Sequence, residues 1–152
     1  MDLPELRKTR EPVKTLPTET QLLGQAIEAA AMFGVVLERS NTGGLTDARG
    51  HHVRFGTKGD PDLKGTLPGS GRSVRIELKR PGFDPAKLRG EKREHFANQI
   101  ARMSELNARG EACWWACDVA DVVRGLEILR DDPAAQITFD PDQHPRFAYR
   151  EA

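Results

Sequence analysis

The sequence predicts an α/β protein, a mixed β-sheet flanked by helices, and three observations carry that expectation. A capped run of apolar residues at helical spacing opens the folded part of the chain at 18–33. Two strand-like segments flank a Pro-Gly-Ser-Gly turn, and a long amphipathic helix is followed by one more strand and one more helix. The 152 residues suit a single core. With 30% charged and 38% apolar residues the composition fits a folded, water-facing chain. No apolar run approaches the roughly 20 residues needed to span a bilayer. The N-terminal MDLPELRKTREPVK has no apolar stretch behind its charges, unlike a secretory signal. A cytoplasmic protein with no membrane partner is expected.

Residues 1–17, with prolines at 4, 12 and 17, read as an N-terminal arm. Thr18-Glu19-Thr20-Gln21 matches a capping box. Leu22, Leu23, Ala26, Ile27, Ala30 and Phe33 then recur at helical spacing up to Gly34. Val35–Arg39 reads as a strand, Asn41-Thr42-Gly43-Gly44 through Gly50 as a loop, and His51–Phe55 as a short strand. Gly59-Asp60-Pro61 is a turn. Asp62–Leu67 and Ser73–Lys79 are strands joined by Pro68-Gly69-Ser70-Gly71, a hairpin signal. Pro81–Pro85 is a loop, and Leu88–Ala108 is a helix closed by Gly110. In the strand Glu111–Cys117, Trp114 and Trp115 point to opposite faces. Val119–Leu129 is a helix with Asp118 as its N-cap. From Asp131 the chain is rich in Asp and Pro and offers little to a core, so 131–152 reads as a C-terminal tail.

The formal net charge is zero, but it is unevenly spread. Arg72 to Arg93 holds eight Lys/Arg against three Asp/Glu, whereas from Asp118 onward eight acids face four bases. A locally positive surface is enough to hold a phosphate backbone. Cys113 and Cys117 are too few for a disulfide framework or a zinc site of their own and read as free thiols.

The hairpin brings the chemistry together. Its turn is centred between Gly69 and Ser70, and Asp62 and Glu77 are equidistant from that centre. Directly opposed residues share a face with Cβ atoms about 5 Å apart. Lys79, two residues beyond Glu77, lies on the same face. Two carboxylates so close repel unless a cation neutralises them, and a hard divalent ion takes oxygen ligands. The Leu78 carbonyl could add another. A lysine beside such an ion could hold an attacking water and stabilise charge on a phosphate. On two helices, Glu19 (before Leu22 and Leu23) and Gln99 (among Phe96, Ile100 and Met103) place polar groups on core-facing stripes near that site.

In order along the chain stand Glu19, Arg39-Ser40-Asn41-Thr42-Gly43, Val53-Arg54-Phe55-Gly56, Gly59-Asp60-Pro61-Asp62-Leu63-Lys64-Gly65 and Ile76-Glu77-Leu78-Lys79-Arg80-Pro81-Gly82, with Gln99 preceding Gly110. This series resembles the PD-(D/E)XK nuclease superfamily and, within it, the VRR-NUC (virus-type replication-repair nuclease) family, over about residues 18–130. The resemblance implies a restriction-endonuclease-like fold and Mg²⁺- or Mn²⁺-dependent cleavage of DNA phosphodiesters. It assigns Asp62 and Glu77 to the metal, Lys79 as catalytic lysine, and Glu19 and Gln99 as supporting active-site residues; the Leu78 carbonyl and Glu19 are further candidate metal ligands. Small stand-alone members resemble junction-cleaving enzymes that act as homodimers, and some are phage-encoded. Branched or single-strand-containing DNA, a homodimer and a role in replication, repair or recombination are therefore the expectations, in the host cytoplasm if the chain is phage-encoded. Leu78 replaces the commoner Val. Asp60 is a second acid beside Asp62, so either could face the metal, with the Pro-Asp match favouring Asp62.

The different-class alternative is a non-cleaving DNA-binding or recombination-assembly module on the same fold. His51-His52 lacks the spaced Asn and second His of a histidine nuclease. Asn41-Thr42-Gly43-Gly44 has no following Gly-Lys-Ser/Thr and makes a poor nucleotide loop. Trp114 and Trp115 could stack on bases, although a strand position makes at least one a core residue.

Overall fold

The computed structural model describes residues 15–40, 43–46, 48–55 and 59–149, so residues 1–14 of the expected arm lie outside them. The first helix, α1 (Glu19–Met32), begins with the capping box its sequence announces. Gln21 N–H donates to Thr18 Oγ1 at 3.1 Å, and Thr18 N–H donates to Gln21 Oε1 at 2.9 Å. Gly34, at φ +75°, turns the chain out. The Val35 N–H is spent on Ala30 O (3.0 Å) in closing the helix. Of the expected strand 35–39 only β1 (Glu38–Arg39) joins a ladder, although Val35 and Leu37 are buried.

Gly43–Thr46, expected as loop, is β2 and pairs antiparallel with β3 (His52–Phe55). Ladder hydrogen bonds offset the poor strand preference of the two glycines, and Gly50 at φ +80° eases the reversal. Asn41 and Thr42 lie outside the described residues. β4 (Leu63–Thr66) and β5 (Ser73–Leu78) form the hairpin in the register its turn predicts, Leu63 opposite Ile76 and Thr66 opposite Ser73. A short 3₁₀ turn (Pro85–Lys87) leads into α2 (Gly90–Ala108). β6 (Ala112–Ala116) then returns parallel to β5, with Glu77 opposite Trp115. The main sheet has the order β1-β4-β5-β6 and is mixed, as expected for this α/β class.

Strand alternation sends two apolar sets to opposite faces. Leu63, Val74, Ile76 and Trp114 meet α1 through Ala26 and Ala30, and α3 (Val119–Asp131) through Val122, Leu126 and Leu129. Cys113 and Trp115 meet Phe96, Met103 and Leu106 of α2. The result is three layers, with α1 and α3 on one side and α2 on the other. Asp118 caps α3 as expected, accepting from Asp121 N at 2.8 Å. No helix among the described residues is long and apolar enough to cross a membrane.

The segment after Asp131 corrects the expectation that it adds little to the core. Gln136–Phe139 (β7) and Pro145–Ala148 (β8) pair antiparallel. Ala135 and Ile137 are buried in the first core, and Phe147 sets its edge against Trp114 at 5.5 Å. Phe139 packs with the second cluster, and Trp115 Nε1 donates to Gln143 O at 2.7 Å. A few well-placed apolar side chains suffice because two tryptophans offer large surfaces to cover.

Candidate active site

The C-terminal end of β5 gathers the predicted groups. One step beyond the Leu63–Ile76 pair, Asp62 N–H donates to Glu77 Oε2 at 3.1 Å. The Asp62 carbonyl accepts from Ser40 N at 2.6 Å, which ties it to the strand end at β1. Glu77 lies on the face covered by α2 and is only 4% exposed. Gln99 is the helix residue that meets it. Gln99 Nε2 donates to Glu77 Oε1 at 2.9 Å, while its Oε1 accepts from Lys79 Nζ at 2.5 Å. That orientation is forced, because an ammonium can only donate and a carboxylate oxygen accepts. Lys79 Nζ stands 3.4 Å from Glu77 Oε1 and lies over the Phe96 and Phe83 rings, 5.4 and 5.5 Å from their centroids.

Burial pushes the Glu77 carboxyl up to about 7, and the neighbouring charge of Asp62 adds to the rise while Lys79 opposes it. The Asp62 carboxyl is also raised, by loss of water against β5, partly offset by the Leu78 backbone and the charges of Lys79 and Arg39. The pair is thus held at a cost when both carry charge.

A cleft of about 780 Å³ opens beside these groups. Glu19, Asp62, Leu78 and Lys79 line it, so the structure brings four predicted residues to one surface. Glu77 and Gln99 form the buried layer behind them. Arg39, Arg80 and Lys92 add positive charge, and Leu22, Leu23, Phe83, Leu88 and Phe96 add an apolar wall. Asp60 turns away: its Oδ1 accepts from Arg102 Nε at 2.6 Å and its Oδ2 lies 3.4 Å from Arg75 Nη1. Of the two neighbouring acids, Asp62 is the one on the cleft.

Sequence reasoning missed the Arg75–Asp60–Arg102 cluster and the cleft positions of Lys92 and His95. The signal for the latter was present. Lys92, His95, Phe96 and Gln99 form one stripe of α2 at helical spacing. His51 does not line the cleft, and the side chain of His52 lies outside the described residues. Trp114 and Trp115 are both buried, so neither is free to stack on a base. Cys113 and Cys117 are free thiols, and burial pushes Cys113 up to about 12, an inert value. Among the described residues, the one set of three possible metal-ligating groups within 4.8 Å of one another is Cys117, Asp118 and Asp121 at the start of α3; none lines the cleft, and Asp118 is occupied as the cap.

No protein-family model and no curated protein matches the sequence. A solved structure described as a VRR_NUC domain is similar to this chain, with a TM-score of 0.47 and 18% identity, over 72% of this chain and 94% of that one.

Proposed function

We propose that the protein is a metal-dependent endonuclease that hydrolyses DNA phosphodiester bonds in the cleft beside Asp62 and Lys79. The observation that carries this reading is the buried Glu77 carboxyl, held against Asp62 and joined through Gln99 to a lysine that reaches the cleft. A carboxyl at 4% exposure with its acidity shifted to about 7 is one that a nearby cation would stabilise as the anion. The donors are all oxygens, which suits Mg²⁺ or Mn²⁺ and not a softer ion. Asp62 and Glu77 would hold it, with Glu19 and the Leu78 carbonyl as further ligands. An ion bound there supplies Lewis acidity toward water and offsets charge developing on the phosphate.

The chain's own groups do the rest. Lys79, fixed by Gln99 and two aromatic rings, presents an ammonium to the scissile phosphate and to an attacking water. Arg39, Arg80 and Lys92 hold flanking phosphates. The apolar wall formed by Leu23, Phe83 and Leu88 has no use for a phosphate but suits an unpaired base. That supports branched or single-strand-containing DNA over an uninterrupted duplex, as a replication, repair or recombination nuclease would meet.

The test is cleavage of plasmid, single-stranded and four-way-junction DNA with Mg²⁺, Mn²⁺ or EDTA. Cutting is expected only with metal, and Asp62→Ala, Glu77→Ala and Lys79→Ala should each abolish it in folded protein. Full activity in Glu77→Ala would overturn the site. Tight DNA binding without cutting in either metal would instead favour a non-cleaving module.

A further inference from the structure

From the Arg75–Asp60–Arg102 cluster we infer that Asp60 is a positioning residue, a clamp that sets Asp62 against Glu77 and Gln99; its catalytic meaning rests on the nuclease reading above. The site draws on three separate pieces of chain. Asp62 comes from the turn before β4, Glu77 from β5 and Gln99 from α2. Asp60 belongs to the first piece and bonds to an arginine on each of the other two. It precedes Asp62 by two residues in the same turn. Its Oδ2 lies 3.4 Å from Nη1 of Arg75, which is two residues before Glu77 on the same face of β5. Its Oδ1 accepts from Nε of Arg102 at 2.6 Å, one helical turn beyond Gln99.

Exposed ion pairs hold little, since water competes for both partners. These partners are not exposed: the side chains of Asp60, Arg75 and Arg102 retain 9, 14 and 17% of their surface. Arg75 is held further by the half-buried Glu111 at 2.9 Å, and Arg102 also meets the exposed Glu105 at 3.3 Å. The turn also lies against the helix. Gly59, at φ +86°, comes so near that an added Cβ would be 3.7 Å from Arg102 Cβ and 3.8 Å from Asn98 O. With Pro61 buried next in the chain, little slack separates the clamp from Asp62.

Asp60→Asn keeps the shape of the clamp and removes its charge, and Arg102→Gln removes only the helix half. The first readout, on metal-free protein, is amide hydrogen exchange at Asp62, whose N–H donates to Glu77 Oε2. Exchange there should quicken about tenfold or more in both variants, while Ile76 and Trp114 on the central strands keep their protection. The second readout is Mn²⁺ affinity by calorimetry, expected to weaken roughly 10- to 100-fold as for lost outer-shell partners. A merely stabilising ion pair would lower the melting temperature and leave both unchanged. Unaltered Asp62 exchange overturns the clamp, and faster exchange with wild-type Mn²⁺ affinity overturns its part in the site. If the wild-type protein neither binds Mn²⁺ nor cuts DNA while Asp62 exchange still quickens, the clamp stands and the nuclease reading falls.

Discussion

Glu77 has a carboxyl whose ordinary value is 4.5 and whose buried place lifts it to about 7. Between those values the folded protein binds more of this proton than the unfolded chain does. Stability therefore falls as pH rises from about 4.5 to about 7, and Asp62, also raised, acts in the same sense. In EDTA, melting temperatures should decline over that window. Glu77→Gln should remove most of the decline and be the more stable protein at pH 8, and Mn²⁺ should flatten the wild-type curve. A wild-type stability that climbs through the window with Glu77 as its source would contradict the burial. Gln99 is the second residue whose substitution is informative. Gln99→Ala leaves Glu77 Oε1 and Lys79 without their shared partner. Cleavage at saturating Mn²⁺ should drop by about 10- to 100-fold with the fold retained.

Two elements are held by single residues outside the site. Arg72, at the end of the hairpin turn, spreads its guanidinium over four carbonyls: Gly110 (2.8 Å), Glu111 (3.1 Å), Pro133 (2.9 Å) and Ala135 (2.7 Å). It joins the β4–β5 turn, the entry to β6 and the link from α3 to β7. Arg72→Ala should cost about 2–4 kcal/mol in urea unfolding, and Arg72→Lys should rescue little, because one ammonium cannot span that fork. Gly125 is where α3 lies on Trp114. A Cβ there would sit 2.6 Å from the indole and 3.1 Å from Phe147, so Gly125→Ala should cost about 1–3 kcal/mol by overpacking. The elements most legible in the sequence were those whose cause is local. The capping box and the hairpin register are legible because each follows from a short local signal, the residues Thr18–Gln21 and the turn at 68–71. Val35–Leu37 could not be, since its ladder is lost to a helix-closing bond made by Val35. Nor could β2, whose two glycines argue against a strand until a partner is supplied.

At the scale of the whole molecule, the layers require the C-terminal hairpin. Ile137 and Phe147 are scattered among polar residues, and only the tryptophan surfaces they cover give them meaning. A chain ending at Asp132 should therefore lose its cooperative melt and bind a hydrophobic dye such as ANS. The candidate site was legible for a matching reason. Asp62, Glu77 and Lys79 come from one hairpin, and strand geometry alone puts them together. Asp60 was ambiguous because its partner Arg102 is 42 residues away, and nothing local announces that pairing.

The chain has only two tryptophans, and neighbouring positions on β6 send Trp114 into the α1–α3 layer and Trp115 into the α2 layer. Nature has thereby supplied one optical reporter for each side of the sheet. Trp115 stacks edgewise on Phe83 and Phe96, the rings that also back the cleft, whereas Trp114 faces the far side. In a Trp114→Phe protein, emission should shift when Mn²⁺ or an oligonucleotide occupies the cleft. In a Trp115→Phe protein it should stay silent until the far layer itself comes apart.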